Sequence, residues 1–195
     1  GLLRGGHPAR LISIAEPDAG QRELVAALDP GLVIDANNTP VAQGAAVLVL
    51  AVKPQILPEV ALALASQRRP ARQLVMSVAA GVTLRSLAGW LGAATPLVRV
   101  MPNQPATIGA GVSALAASAS VDTNGRQLAG YIAGTTGRAL WLPDEALMDA
   151  VTAVSGSGPA YFYLLMEHME RAATDLGLPP ELAAALTRET ALGAA

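Results

Sequence analysis

The sequence contains no cysteine, so disulfide bonds, thiolate zinc sites and cysteine nucleophiles are excluded. It has only two histidines, His7 and His168, and they are far apart along the chain. A site built from several histidine ligands is therefore not expected, and we predict no metal centre. The lack of cysteine suits a reducing compartment, so we expect a cytoplasmic protein.

Aromatic residues make up only 3% of the chain. The 13 basic residues are scattered along the sequence, and the net charge is −2. Binding of single-stranded bases or of an anionic surface needs stacked rings or a basic patch. Mean hydropathy is +0.41, but the longest uninterrupted apolar run covers only residues 45–52. A membrane span needs about 20 such residues. We therefore expect no nucleic-acid partner and no membrane.

What the chain does have is a regular alternation of short apolar runs and helical periodicity. Residues 47–52 are apolar without alternation, which is typical of a strand covered on both faces in a parallel sheet. Asp18 is placed to cap a helix predicted over residues 21–28. Helical periodicity also covers residues 57–65, and residues 74–78 and 97–101 are predicted strands. After Pro143 the periodicity is helical throughout, beginning with a helix over residues 145–154. The pattern predicts a doubly wound α/β sheet over residues 1–143 and an all-α domain over residues 144–195.

Three predicted strands end in loops of unusual composition. In open α/β sheets, ligands bind beyond the carboxyl ends of the strands. In residues 51–54 (AVKP) the small Ala51 lets a flat ligand approach the main chain, and Lys53 supplies a positive charge at the rim. Residues 78–81 (VAAG) leave room for a planar group against the main chain. Asn103, between two prolines, offers both a hydrogen-bond donor and an acceptor. Each loop on its own is also consistent with an ordinary turn or a rigid connector.

The segment SGSGP at residues 155–159 precedes a predicted long helix. Main-chain N–H groups at a helix start attract anions, so Ser155 and Ser157 are candidates for lining a substrate pocket. Small residues also permit close helix packing, and the sequence does not choose between the two. No G-x-G-x-x-G pattern follows a strand. Either no dinucleotide binds, or the phosphate loop lies outside this sequence.

Six segments, taken in order, resemble the pyrroline-5-carboxylate reductase family: AVKPQ, SVAAGVT, VRVMPNQPA, GAGVSAL, DAVTAVSGSGPAYFY and LGLPPELAAALTRETALGAA. The resemblance runs from residue 47 to residue 195. It implies a Rossmann-type doubly wound sheet followed by an all-α dimerisation domain. It also implies reduction of the C=N bond of 1-pyrroline-5-carboxylate to L-proline, with NADPH or NADH, in a homodimer or higher oligomer. The family's phosphate loop and C-terminal substrate loop have no counterpart here, so we expect the chain alone to bind cofactor poorly.

The resemblance further implies which residues contact the cofactor. The matching positions are Asn38, Ala51, Val52, Lys53, Pro54, Val78, Ala79, Ala80 and Asn103. Residues 51–54 match the adenosine-side loop, residues 78–80 match the loop near the nicotinamide, and Asn103 lies beside the ring. Gln104 stands where the family more often has threonine. No catalytic acid or base is implied, and Ser155 and Ser157 remain candidates for the substrate side.

Glu16 bears on the choice between the two cofactors. It ends the second strand of the Rossmann pattern, where a carboxylate binds ribose hydroxyls and repels a 2′-phosphate. This placement favours NADH, unless Arg22 folds back and offsets the charge. The other interpretation is that Glu16 merely faces solvent before Pro17.

Two other functions are compatible with the pattern. A β-hydroxyacid dehydrogenase-like reductase shares the plan, but it calls for a lysine on the helix at residues 159–176, and Lys53 is the only lysine. A non-catalytic dimerisation or nucleotide-binding module is the second. The stripe of Tyr161, Leu164, Leu165, Met169 and Ala172 predicts association through the helical part, or else packing against the α/β domain.

Overall fold

The computed structural model describes residues 1–67 and 73–194. The strands are β1 (Ser13–Ala15), β2 (Val33–Asp35), β3 (Val47–Leu50), β4 (Leu74–Ser77), β5 (Leu97–Met101), β6 (Gly111–Ala117) and β7 (Gly137–Trp141). The α-helices are α1 (Ala19–Ala26), α2 (Asn38–Gly44), α3 (Leu57–Ala65), α4 (Leu84–Leu91), α5 (Thr123–Gly134), α6 (Met148–Val151), α7 (Gly158–Asp175) and α8 (Pro180–Ala194). Strands and helices alternate up to β7 and only helices follow, which confirms the predicted fold class.

Five strands form the main sheet in the order β3-β4-β5-β6-β7. Strands β3, β4 and β5 are parallel, β6 runs antiparallel to β5, and β7 is parallel to β6. Strands β1 and β2 pair in parallel as a separate sheet. In the strand order of the doubly wound nucleotide-binding fold, a further strand stands between these two groups. Within the described part of the chain, nothing pairs β1 with β3.

The main sheet is covered on both faces. On one face α3 and α4 bury a cluster that includes Leu57, Leu87 and Leu97, which we call the first core. On the other face α5 packs Ala129 against Met76 and other strand residues, which form the second core. All four residues of β4 are buried, as expected for a central strand. In β3, at the end of the strand order, Val49 is 41% exposed, so the prediction that residues 47–52 are covered on both faces is wrong for this chain.

The helix predicted over residues 145–154 is wrong in its detail. The segment is a 3₁₀ turn (Glu145–Leu147), then α6, then a π-helical turn (Thr152–Gly156). Hydroxyl groups bond back to carbonyls one turn earlier: Thr152 to Met148 at 2.9 Å and Ser155 to Val151 at 3.0 Å. Such bonds compete with the regular helix ladder and bend it.

Helix α1 shows a second difference. Its predicted cap is confirmed, because the Asp18 side chain accepts the N–H of Gln21 at 2.8 Å. Its apolar positions are not buried, however: Leu24 is 64% exposed and Leu28 is 69% exposed. The small sheet β1–β2 that α1 flanks therefore lacks a packed core of its own among the described residues.

Helices α7 and α8 pack mainly on each other. Gly177 follows the end of α7 and has a φ of +99°. A positive φ breaks the helical conformation and is disfavoured for residues with a side chain, so a glycine stands at this position. The predicted stripe on α7 is exposed to solvent, with Tyr161 at 61% and Leu165 at 57%. Packing of this stripe against the α/β domain is therefore ruled out for this chain. Among the helices described, none combines the length and hydrophobicity that crossing a bilayer requires.

Candidate functional site

The carboxyl ends of β3, β4 and β5 meet at one edge of the sheet. The three strands are adjacent and parallel, with Leu50 beside Ser77 and Ser77 beside Arg99. The loops at residues 51–54, at residues 78–80 and around Asn103 leave from this edge, so they are neighbours in space. This is the arrangement in which an open α/β sheet binds its ligand.

The loop after β3 begins helix α3. The carbonyl oxygen of Lys53 accepts N–H groups from Ile56 at 3.1 Å and Leu57 at 3.2 Å. Val52 packs against the first core, and Pro54 is half-buried. The side chains of Ala51 and Lys53 are exposed. These two side chains of the loop are therefore the most accessible to a ligand.

The loop after β4 exposes even less side chain. Val78 packs against the second core, and its N–H donates to the Leu50 carbonyl at 3.2 Å. Ala79 is only 4% exposed. Ala80 is exposed, and Gly81 follows with φ of +76°. Of the three predicted positions, Ala79 can therefore present only main-chain atoms, Val78 is partly buried in the core, and Ala80 presents a methyl group.

Asn103 is held by one end of its side chain. Its Oδ1 accepts the N–H of Val112 from β6 at 3.0 Å. Its amide NH₂ has no partner among residues 1–67 and 73–194, so it can donate to a ligand. The residue is half-buried, and Gln104 after it begins a short 3₁₀ helix (Gln104–Ile108). The fixed oxygen orients the free donor at the sheet edge.

Glu16 and Asn38 belong to the smaller sheet rather than to this edge. Glu16 follows β1, and its Oε1 accepts the N–H of Asp18 at 2.9 Å. Arg22 does fold back: its Nη1 donates to the carbonyls of Glu16 at 2.9 Å and Pro17 at 2.7 Å. The guanidinium thus lies at the strand end, bonded to two main-chain carbonyls. Asn38 is the exposed first residue of α2.

The two serines at the junction have different surroundings. The hydroxyl of Ser155 is already engaged by Val151, and the residue lines an apolar hollow of about 370 Å³ with Val112 and Leu142. The main-chain N–H of Ser157 donates to the Thr152 carbonyl at 2.8 Å. A methyl group added at Gly156 would lie 2.8 Å from Cε of Met101. The glycine therefore allows the junction to approach the end of β5 closely, so close packing explains at least part of this segment.

One feature near the site was missed from the sequence. Nη1 of Arg99 lies 3.0 Å from Oε1 of Glu145, and the same oxygen accepts the N–H of Leu84 at 2.8 Å. The Arg99 side chain is only 5% exposed. The available signal was an arginine inside the apolar run LVRVM, because a charge buried in a strand requires a partner. No group of three potential metal ligands occurs in the part of the chain that the structure describes.

Three parallel strands whose loops meet at one carboxyl edge, within a sheet covered by helices on both faces and followed by a helical region, define a class of protein. It is a Rossmann-type nucleotide-binding protein.

Comparison with known proteins narrows the class. The family model described as pyrroline-5-carboxylate reductase dimerisation matches residues 145–195, and one described as NADP oxidoreductase coenzyme F420-dependent matches residues 1–81. A pyrroline-5-carboxylate reductase of Pseudomonas aeruginosa is 49% identical over 195 residues, which are all of this chain and 71% of that protein. The chain belongs to the pyrroline-5-carboxylate reductase family.

Solved structures agree with this assignment. A pyrroline-5-carboxylate reductase from Coxiella burnetii superposes with a TM-score of 0.94 at 36% identity, covering 99% of this chain and 71% of that one. The pyrroline carboxylate reductase of Plasmodium falciparum, solved with NADP bound, has a TM-score of 0.77 at 29% identity. That match covers 84% of this chain and 61% of the other.

Proposed function

We propose that the protein reduces the C=N bond of 1-pyrroline-5-carboxylate to give L-proline, with NADPH or NADH as reductant. The observation that carries the proposal is the single sheet edge at which the loops after β3, β4 and β5 meet, in a chain of this family. Family membership also disfavours the β-hydroxyacid dehydrogenase-like alternative, which calls for a helical lysine that this sequence lacks.

The residues at the edge fit a nicotinamide nucleotide. The exposed side chains of Ala51 and Ala80 are single methyl groups, and Gly81 has none, so a flat ring can lie against the main chain. The unpartnered NH₂ of Asn103 is a donor suited to a carboxamide oxygen. NAD(P)H, when bound, supplies the hydride that adds to the imine carbon.

The protein's contribution is position rather than acid–base chemistry. The loops at residues 51–54, 78–80 and 102–104 contain no aspartate, glutamate or histidine. A protonated imine is already a good hydride acceptor, and the electron pair of its C=N bond moves to nitrogen as hydride arrives. Holding the two reactants in a reactive orientation can supply much of the rate. We therefore assign no catalytic acid, and Ser157 remains a candidate for the substrate side.

We also propose a preference between the two cofactors. Glu16 lies at the position where a carboxylate favours the ribose hydroxyls of NADH. Arg22 weakens this effect, because its guanidinium bonds to the carbonyls of Glu16 and Pro17. The expected result is a small preference between NADH and NADPH rather than a strong one for NADPH. Asn38, at the start of α2, stays a predicted nucleotide contact.

The domain boundary between residues 143 and 144 and the assembly as a homodimer belong to the proposal. The dimerisation model begins at residue 145, close to the end of β7. Large apolar side chains of α7 are exposed, and contiguous exposed apolar surface marks an interface. They are Tyr161, Phe162, Tyr163, Leu164, Leu165 and Met169. The cytoplasmic location stays a prediction.

The test uses the purified full-length protein with 1-pyrroline-5-carboxylate as substrate. Oxidation of NADPH, and separately of NADH, is monitored by absorbance, and the proline formed is detected directly. Turnover that requires the imine supports the proposal. Cofactor binding without turnover supports the non-catalytic nucleotide-binding module instead. Reduction of a 3-oxoacid, with none of the imine, supports the β-hydroxyacid dehydrogenase-like alternative.

A further inference from the structure

One carboxylate oxygen joins three parts of the chain that surround the candidate site. Oε1 of Glu145 accepts the N–H of Leu84 at 2.8 Å and Nη1 of Arg99 at 3.0 Å. Leu84 is the first residue of α4, directly behind the loop at residues 78–82. Arg99 lies on β5, which leads to Asn103. Glu145 itself begins the segment that runs through α6 to the π-helical turn.

The contact with Leu84 fixes the rear of the loop after β4. The first N–H groups of a helix have no partner within the helix, and the helix dipole favours a carboxylate there. Glu145 takes one of these groups, and Thr83 Oγ1 takes another by accepting the N–H of Ser86 at 3.1 Å. The front of the loop is fixed by β4, where the N–H of Val78 bonds to Leu50. The loop is thus tied down at both ends.

The contact with Arg99 fixes the separation between the segment that begins at Glu145 and strand β5. The guanidinium is buried, so it needs the carboxylate as its counter-charge. Stability alone does not require such a pair, because apolar residues of similar volume often stabilise a fold equally well. Apolar residues do not reproduce a directed contact. Here such contacts hold Glu145 at a fixed separation from Leu84, 61 residues earlier, and from Arg99, 46 residues earlier.

We propose that Arg99 and Glu145 are a positioning pair for hydride transfer. The pair holds the loop after β4, the end of β5 and the junction segment at fixed separations. The nicotinamide ring on the loop after β4 therefore faces the substrate, which lies beside the end of β5 and the junction segment. Neither side chain belongs to the loops that would touch the cofactor. The inference rests on the proposed function, because it assigns the pair a role in that same reaction.

The decisive variant removes both charges. Glu145→Ala alone leaves Arg99 buried without a partner and is expected to destabilise the fold. The double variant Arg99→Met with Glu145→Ala leaves no unpaired charge, so it tests positioning without that defect. Glu145→Gln is the conservative variant: its amide oxygen can accept the same two hydrogen bonds, so the geometry is kept, although loss of the counter-charge of the buried Arg99 lowers the unfolding temperature. Asp149→Asn is the matched control, because Asp149 is exposed and lines, together with Arg99 and Glu145, a hollow of about 500 Å³.

Four quantities are measured on the full-length protein: the unfolding temperature, the dissociation constant of NADPH, kcat with the imine, and the isotope effect with NADPH deuterated at the transferred position. In the double variant we expect kcat to fall by about ten-fold or more, because small misplacements of reacting groups are costly. The isotope effect rises as hydride transfer becomes limiting, while the unfolding temperature and NADPH affinity stay close to those of the parent. Glu145→Gln recovers most of kcat, and Asp149→Asn matches the parent throughout.

A double variant with the parent's kcat and isotope effect overturns the inference. So does a loss of kcat that only follows a loss of folded protein, with an unchanged isotope effect. If the parent itself does not reduce the imine, the proposed function fails, and fluorescence of bound NADPH still tests the pair. The emission of the dihydronicotinamide then changes in the double variant and not in Asp149→Asn; equal emission in both contradicts the inference.

Discussion

Replacing Ala80 by leucine tests the shape of the sheet edge. Ala80 is exposed and has a negative φ, so leucine is tolerated there without backbone strain. Surface changes of this kind alter the free energy of unfolding by about 0.5 kcal/mol or less. Leucine adds three carbon atoms at the place where the ring is expected to lie. Because carbon atoms pack no closer than about 3.5 Å, the ring must move by more than the roughly 1 Å that costs 100-fold in rate.

The expected result for Ala80→Leu is therefore a fall of about 100-fold in kcat/KM for NADPH, equivalent to about 2.8 kcal/mol. The assay is steady-state oxidation of NADPH with saturating imine, alongside thermal unfolding. Ala119→Leu is the matched control: it makes the same change at an exposed alanine just beyond the end of β6, at the opposite edge of the sheet. If Ala80→Leu and Ala119→Leu retain equal kcat/KM, the ring does not lie on this loop and the reasoning is refuted.

Three further predictions concern cofactor choice, assembly and the core. Glu16→Ser raises the ratio of kcat/KM for NADPH over NADH by about ten-fold, since a repelling charge is removed; an unchanged ratio contradicts this. Leu165→Glu converts the dimer to a monomer in light scattering, and a parent that is already monomeric at micromolar concentration refutes the assembly. Leu87→Ala lowers the free energy of unfolding by about 2–5 kcal/mol in urea titration. Leu62→Ala, at a side chain 57% exposed, is its control and costs far less.

Local signals in the sequence predicted local structure well. The helix at Leu57–Ala65 and the strand at Leu97–Met101 have the predicted bounds, and Asp18 caps α1 as expected. Each of these depends on residues within one or two turns of one another. The segment after Pro143 was predicted less well, because the hydroxyl groups of Thr152 and Ser155 bend a stretch whose apolar spacing looks helical.

Features that depend on distant contacts could not be read in the same way. The separation of β1–β2 from the main sheet is a matter of strand pairing, which hydrophobic periodicity does not record. The sequence placed three loops at strand ends, but not the direction of their side chains. Val52, Val78 and Ala79 turn into the two cores, so the candidate site is built more from main chain than the residue types suggest. The pairing of Arg99 with Glu145 spans 46 residues and was invisible for the same reason.

The most direct test of the account is a crystal structure of the full-length protein with NADP⁺. The account predicts the nicotinamide ring flat against the main chain of residues 78–80, with its carboxamide oxygen within hydrogen-bond distance of Asn103 Nδ2. A ring bound at another edge of the sheet, or a cofactor kept off residues 51–54 and 78–80 by neighbouring side chains, contradicts it.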